Sequence, residues 1–233
     1  MSEPFQIGFF LFPGLTQLDL TGPAQVLSRM SNSRSHFIAK TLAPVPSDCG
    51  LSLSPTVTIA DAPKLDMICV PGGVGVDSVM SDPESLDFIR RAGEEASYVT
   101  SVCTGSLILG AAGLLVGYRA GCHWAWRDLL PLFGAYPDDE RVVIDRNRIT
   151  GGGVTAGIDF AFRVIEVLRS REEAEMLRLG LEYDPQPIGL GGTPSTASSS
   201  ILHAVRKRYD AQGMGARREA IAHLADSLNV TGG

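Results

Sequence analysis

The chain has 233 residues, of which 44% are hydrophobic and 20% charged, and its formal net charge at pH 7 is -6. A chain of this length and composition buries a sizeable core and forms one domain with additions, or two at most. The acidic balance argues against a nucleic-acid-binding surface, because phosphate binding relies on clustered Lys and Arg.

The sequence carries no recognisable export signal or membrane-spanning stretch. Its first four residues lack the basic region and the following apolar stretch of a signal peptide. No apolar run reaches the roughly 18 residues that a membrane span needs. The four cysteines, at positions 49, 69, 103 and 122, form no CxxC pair. We therefore expect a cytoplasmic protein whose thiols are free.

The first half of the chain alternates predicted strands with predicted helices. The apolar run 6–12 is typical of a strand buried on both faces, and 66–70 is a second such strand. A helix is predicted over 24–30, just after Pro23, because proline is favoured near a helix start. Residues 37–42 are predicted to be a strand, and residues 51–59 a half-exposed strand or hairpin.

The second half continues this alternation. A capped helix is predicted from Pro83 to about residue 95, followed by a strand over 97–102 and a helix over 107–115. The remaining predicted elements are a helix at 124–133, paired strands at 142–144 and 148–150, and helices at 155–168 and 172–181. This order predicts an α/β fold with a doubly wound, mostly parallel sheet flanked by helices.

A change of composition divides the chain near residue 185. Residues 1–185 are predicted to form the α/β domain, and 186–233 a linker with a C-terminal helical extension, helical at 201–209 and 217–228. The extension is too small to hold a core of its own, so we expect it to pack on the domain or on a partner subunit. Its basic residues at 206–208 and 217–218 are interspersed with acids, which predicts a solvated helix face.

The residue most suited to chemistry is Cys103. Ligands of open α/β sheets bind beyond the carboxyl ends of the strands, and Cys103 follows a predicted strand with no loop before the next helix. Such a residue lies on a sharp, exposed turn, as in a nucleophile elbow, and the helix N-terminus favours thiolate over thiol. We predict an exposed nucleophile with a lowered pKa. The alternative is a buried structural cysteine, which is what we expect of Cys69.

Other strand ends supply candidate partners for Cys103. Gly72 and Gly73 allow backbone N–H groups to approach a ligand closely, although a tight turn also explains them. Asp19 is either a helix cap or a catalyst. Whether Cys122 lines the same pocket, and whether His123 approaches Cys103 from elsewhere in the fold, are left open. The chain has no HExxH, GxGxxG or GxxxxGK[ST] motif, so we predict no metal and no cofactor.

Four stretches of the sequence resemble the ThiJ/PfpI superfamily. They are 19–23, 68–73, 102–106 and 151–159, and the likeness extends from about residue 5 to 185. The resemblance implies a class I glutamine amidotransferase-like fold and a homodimer. Within the superfamily the sequence is most similar to the isocyanide hydratases, which implies hydration of isocyanides to N-substituted formamides. The implied intermediate is a thioimidate on Cys103, with Asp19 moving protons and Thr104 orienting the thiol or water.

Two positions help to choose among the superfamily's activities. Thr104 stands where the peptidases place a His after the nucleophile, which argues against a Cys–His peptidase. Asp19 stands where many members have Glu and the isocyanide hydratases have Asp. AraC-type regulators share some of the stretches but add a helix-turn-helix region, which we do not expect here. A glyoxalase- or deglycase-like enzyme, an oxidation sensor based on Cys103 and a ligand-binding module remain alternatives.

Overall fold

The computed structural model describes residues 3–228, apart from 187 and 190. Parts of the predicted termini, including the last residues of the C-terminal extension, therefore lie outside the described residues. In chain order, the elements are β1 (Phe5–Phe10), α1 (Gln17–Leu27), β2 (Ser33–Ala39), β3 (Val45–Pro46), β4 (Ser52–Leu53), β5 (Val57–Thr58), β6 (Met67–Val70), α2 (Val76–Met80), α3 (Pro83–Glu95), β7 (Tyr98–Val102), α4 (Gly105–Ala111), β8 (Arg119–Ala120), a 3₁₀ helix (Arg127–Phe133), β9 (Tyr136–Pro137), β10 (Val142–Asp145), β11 (Arg148–Gly151), α5 (Ala156–Leu168), α6 (Arg171–Gly180), α7 (Ser199–Ala211) and α8 (Met214–Leu228).

A seven-stranded sheet runs through the domain in the order β10-β11-β7-β6-β1-β2-β5. Its strands are parallel except for the β10–β11 hairpin, which is antiparallel. The chain leaves β1 towards β2 on one side and returns to β6 on the other, so the strand order reverses between β1 and β6. Ligands of doubly wound sheets bind at such a reversal. The predicted fold class is confirmed.

The centre of the sheet is apolar on both faces. All four residues of β6 are fully buried, and so are Phe9 of β1, Phe133 of the 3₁₀ helix and Phe160 of α5. Side chains of this size contribute about 1.5–3 kcal/mol each when they leave water. This burial explains why β6 is a continuous apolar run, whereas β7 also buries the polar side chains of Thr100 and Ser101.

Helix α1 begins earlier than predicted, and this changes the position of Asp19. The helix starts at Gln17 and contains Pro23 in its interior, so Asp19 lies in its first turn and not in a loop. Thr16 is extended and its carbonyl accepts the Asp19 N–H at 3.0 Å, which starts the helix before the proline. Proline removes one helical hydrogen bond, but its fixed φ is compatible with the helix that surrounds it.

The predicted strand or hairpin at 51–59 is wrong. Ser52–Leu53 pairs antiparallel with Val45–Pro46, whereas Val57–Thr58 joins the main sheet beside β2 in parallel. Pro55 lies between the two short strands and has no N–H to donate, which prevents one continuous ladder.

The C-terminal helix α8 packs on the α/β domain. Ile221 is 2% exposed, and Ala225 is also buried. The prediction of a solvated basic face is wrong for Arg217 and Arg218, which form ion pairs with Asp77 and Asp128 of the domain. In the described part of the chain, no helix combines the length and the apolar character that crossing a membrane requires.

Helices α1 and α5 approach each other at a glycine. A Cβ added to Gly157 would lie 3.1 Å from Cδ of Pro23. We expect Gly157→Val to force the helices apart and to lower the free energy of unfolding by about 1–3 kcal/mol. Gly180→Val is the matched control, since a Cβ there meets no atom within 4 Å. Urea unfolding of both variants is the measurement, and equal losses would contradict this account of the packing.

Candidate active site

The site is built where three neighbouring strands end. Asp19 lies in the helix after β1, Gly72 and Gly73 follow β6, and Cys103 and Thr104 follow β7. Because β6 pairs with both β1 and β7 in parallel, these three strand ends lie at one edge of the sheet. The structure therefore brings together all five residues that the sequence analysis selected.

Cys103 occupies a sharp turn between β7 and α4. Its φ of 59° lies in the left-handed region, which residues other than glycine seldom adopt. Such a conformation costs about 1–3 kcal/mol and persists only where the surroundings fix it. Here the Cys103 N–H donates to the Gly151 carbonyl at 3.1 Å, which ties the turn to the adjacent strand. The predicted turn is present.

The prediction of an exposed thiolate with a lowered pKa is wrong. Cys103 is 5% exposed. Burial, and next to it the negative charge of Asp19, raises the pKa of the thiol well above its ordinary value. A helix N-terminus stabilises an anion by about 0.3–1 kcal/mol, less than one pKa unit. Burial shifts a pKa by up to about 3–5 units, so desolvation outweighs the helix and the thiol is neutral at pH 7.

Asp19 is the second titratable group of the site. Its side chain has 0% exposure, and burial raises its pKa from 3.8 to about 7. A hydrogen bond from the Gly72 N–H to Oδ2, at 3.0 Å, offsets part of this shift. The Cys103 thiol also hydrogen-bonds this carboxyl group and lowers its pKa. The oxygen Oδ1 is buried, and no N–H or O–H group among the described residues donates to it. Asp19 thus exchanges a proton near neutral pH beside the thiol.

The glycines after β6 position side chains, which corrects our expectation that their N–H groups face a ligand. The Gly72 N–H donates to Asp19, and the Gly73 N–H donates to Oγ1 of Thr104 at 3.0 Å. Both donors are therefore occupied. Glycine is required at both positions: a Cβ on Gly72 would lie 2.5 Å from the Thr104 nitrogen, and Gly73 has a φ of 143°.

The Thr104 hydroxyl group is oriented so that it can donate a hydrogen bond. Since its hydroxyl oxygen accepts the Gly73 N–H, the hydroxyl hydrogen remains available to a neighbouring sulfur, water or ligand. Thr104 is itself buried and lines the same cavity as Cys103.

A cavity of about 300 Å³ lies above Cys103. His123 lines it, and its Nδ1 accepts the Ala125 N–H at 3.3 Å, which leaves the proton on Nε2. Burial lowers the pKa of His123, so the imidazole is neutral at pH 7. Cys122 is buried and is not among the described residues that line the cavity. No group of three or more potential metal ligands occurs among the described residues.

The cavity also contains residues that the sequence analysis missed. Trp126, Tyr209, Met214 and Ile221 line it. The last three belong to the C-terminal helices, far from Cys103 in sequence. Nothing in the sequence pattern places those helices over this strand edge.

The fold agrees with comparisons to known proteins. The sequence pattern of the DJ-1/PfpI family matches residues 6–167, and the chain belongs to this family. The isonitrile hydratase of Pseudomonas putida is 52% identical over 225 residues, which cover 97% of this chain and 98% of that protein. The similarity expected from the sequence is confirmed.

Two further relatives show how widely the fold is used. The crystal structure of a ThiJ/PfpI family protein from Pseudomonas syringae has a TM-score of 0.90 and 42% identity, covering 97% of this chain and 91% of that one. The HTH-type transcriptional regulator GbdR of Pseudomonas aeruginosa is 32% identical over 73% of this chain but only 48% of its own length. The family domain thus also forms one half of a longer regulator.

The raised pKa of Asp19 links the site to stability. Because the pKa is about 7 in the folded chain and 3.8 ordinarily, stability is lost as the pH rises from about 4 through 7. Asp19→Asn removes this loss. At each pH, the quantity of interest is the free energy of unfolding of Asp19→Asn minus that of the wild type. We expect this difference to be about 2–3 kcal/mol larger at pH 8 than at pH 5.

Urea unfolding at both pH values measures this difference. Asp139→Asn, which changes an exposed carboxylate, is the matched control and is expected to show no such pH dependence. An effect of Asp19→Asn that is equal at pH 5 and pH 8 would show that the carboxyl group is not desolvated.

Proposed function

We propose that this protein hydrates isocyanides to N-substituted formamides, with Cys103 as the nucleophile and Asp19 as the proton carrier. The observation that carries the proposal is a buried carboxyl group with a pKa near 7 beside a neutral thiol that lines a cavity. The 52% identity to an isonitrile hydratase over nearly the whole chain supports it. A homodimer and a cytoplasmic location stay predictions from the sequence.

An isocyanide suits such a pair because its terminal carbon accepts both a nucleophile and a proton. In the first step the S–H bond of Cys103 breaks, and Asp19 takes the proton. The sulfur then bonds to the isocyanide carbon, and the same proton is delivered to that carbon, which gives a thioimidate. The thiol therefore needs no lowered pKa at rest, since Asp19 removes its proton as the bond forms.

Water completes the reaction. Asp19 accepts one proton of the water molecule as the water oxygen bonds to the thioimidate carbon, and it passes that proton to the nitrogen. The C–S bond then breaks, the remaining hydroxyl proton passes through Asp19 to the sulfur, and the N-substituted formamide leaves. Thr104 donates its hydroxyl hydrogen to the sulfur or the water, and His123 offers its Nε2–H from the cavity wall. Overall, one isocyanide and one water give one N-substituted formamide.

The charges around the cavity agree with an uncharged substrate. Asp48 lines the cavity and accepts a hydrogen bond from Thr16 at 2.7 Å. Arg217, the cation that lines the cavity in the described part of the chain, is already paired with Asp77. An anionic substrate would thus be repelled by the acidic groups and would find no unpaired cation among the described lining residues. An isocyanide is uncharged and is not repelled in this way.

Formamide production from an alkyl isocyanide tests the roles of Cys103 and Asp19. We expect Cys103→Ala to abolish turnover and Asp19→Asn to lower kcat by about 10²–10⁴-fold, the usual contribution of a positioned acid or base. Mass spectrometry of the wild type mixed with an isocyanide should find the adduct on Cys103. Cys49→Ala, at an exposed cysteine, is the control expected to retain activity.

Two results would overturn the proposal. Turnover by Cys103→Ala would remove the nucleophile from the mechanism. Turnover of methylglyoxal without turnover of isocyanides would assign the site to a glyoxalase-like enzyme.

The pH profile tests the shared proton. The reactive state of the Asp19–Cys103 pair holds one proton, and the pair gains a second below about pH 7. We expect kcat/KM to rise about tenfold per pH unit below pH 7 and to level off above it. Asp19→Asn should lose this rise. A flat wild-type profile between pH 5 and pH 8 would show that Asp19 does not carry the proton.

A further inference from the structure

The C-terminal helices form one wall of the cavity above Cys103. Tyr209, in the last turn of α7, lines the cavity, and so do Met214, Arg217 and Ile221 of α8. Ile221 is also part of the hydrophobic core, so α8 is fixed in the fold at this point. Residues far from Cys103 in sequence therefore face the same space as the thiol.

Tyr209 is held in place by aromatic contacts with the domain. Its ring centroid lies 6.4 Å from that of His123, edge-on, and 5.8 Å from that of Trp124. Such contacts contribute about 0.5–1.5 kcal/mol beyond the buried area and favour one ring orientation. The Tyr209 ring, half-buried, therefore lies against His123 and Trp124 at the cavity.

Arg217 fixes α8 at the edge of the same cavity. Its Nε and Nη2 donate to the two carboxylate oxygens of Asp77 at 2.6 and 2.9 Å, and Nη2 also donates to the Val74 carbonyl. Its guanidinium lies 5.0 Å from the ring centroid of Trp126. A bidentate pair sets the orientation as well as the distance of the helix it joins.

The wall and the cavity volume define a class of substituent. An apolar cavity of about 150 Å³ accepts a benzene molecule, so about 300 Å³ holds an aryl group together with the reacting carbon. Resting on the function proposed above, we propose that Tyr209, Met214 and Ile221 bind the N-substituent of the isocyanide. They select uncharged, apolar substituents of aryl size, and Arg217 is a positioning residue that holds this wall.

The test compares benzyl isocyanide with methyl isocyanide. We expect Tyr209→Ala to lower the ratio of kcat/KM for the benzyl over the methyl substrate about tenfold, the effect of losing an apolar contact in a binding pocket. Tyr209→Phe keeps the ring and should keep the ratio. Arg217→Gln should lower the ratio as well. Ile201→Ala, at a side chain that is 57% exposed on the same helix α7, is the matched control and should leave both rates unchanged.

Binding of N-benzylformamide, the product expected from benzyl isocyanide, separates this inference from the hydratase function. The chain contains two tryptophans, and both Trp124 and Trp126 lie at the wall, so intrinsic fluorescence reports binding. Suppose that the wild type turns over no isocyanide but binds N-benzylformamide, and that Tyr209→Ala weakens this binding about tenfold. The hydratase proposal then fails, whereas the proposal that the C-terminal helices bind the N-substituent is supported.

Three other results would contradict the proposal that the C-terminal helices bind the N-substituent. Turnover of isocyanides with an unchanged benzyl-to-methyl ratio in Tyr209→Ala leaves the hydratase proposal standing and removes Tyr209 from specificity. Equal losses for both substrates assign Tyr209 a structural role only. Failure of the wild type to bind N-benzylformamide, with no turnover, overturns both proposals.

Discussion

The site depends on the exclusion of water from one carboxyl group and one thiol that lie side by side. Burial raises the pKa of Asp19 to about 7 and that of Cys103 well above its ordinary value. The hydrogen bond from Gly72 compensates only part of the cost of charging Asp19. The rest of the fold must supply that cost, as expected where a functional site is less stable than its surroundings. The result is a proton whose release from Asp19 falls near neutral pH.

The sheet and the turn at Cys103 were predictable because they depend on local patterns. Strands buried on both faces are continuous apolar runs, and Gly or Pro ends them, so β1 and β6 were recognisable. The missing loop between β7 and α4 identified the Cys103 turn. The parallel arrangement of neighbouring strands then places Asp19, Gly72 and Cys103 together, even though the predicted start of helix α1 was wrong.

The electrostatics of the site were not predictable from the same patterns. The helix N-terminus is a local feature and is visible in the sequence, whereas desolvation depends on which distant residues cover the turn. The sequence does not show that Tyr209 and Ile221 line the cavity above Cys103. For the same reason Arg217 was expected in solvent, since its partner Asp77 is distant in sequence. The prediction thus failed where tertiary contacts outweigh a local preference.

A neutral, buried thiol fits the proposed chemistry better than the exposed thiolate expected from the sequence. An exposed thiolate is readily oxidised, and oxidation sensors rely on that accessibility. An isocyanide carbon must gain a sulfur and a proton together, and the Asp19–Cys103 pair holds both. The wall formed by α7 and α8 covers the same cavity. We therefore infer that burial of the Asp19–Cys103 pair sets its protonation, while the cavity that Cys103 lines limits the size of the substituent.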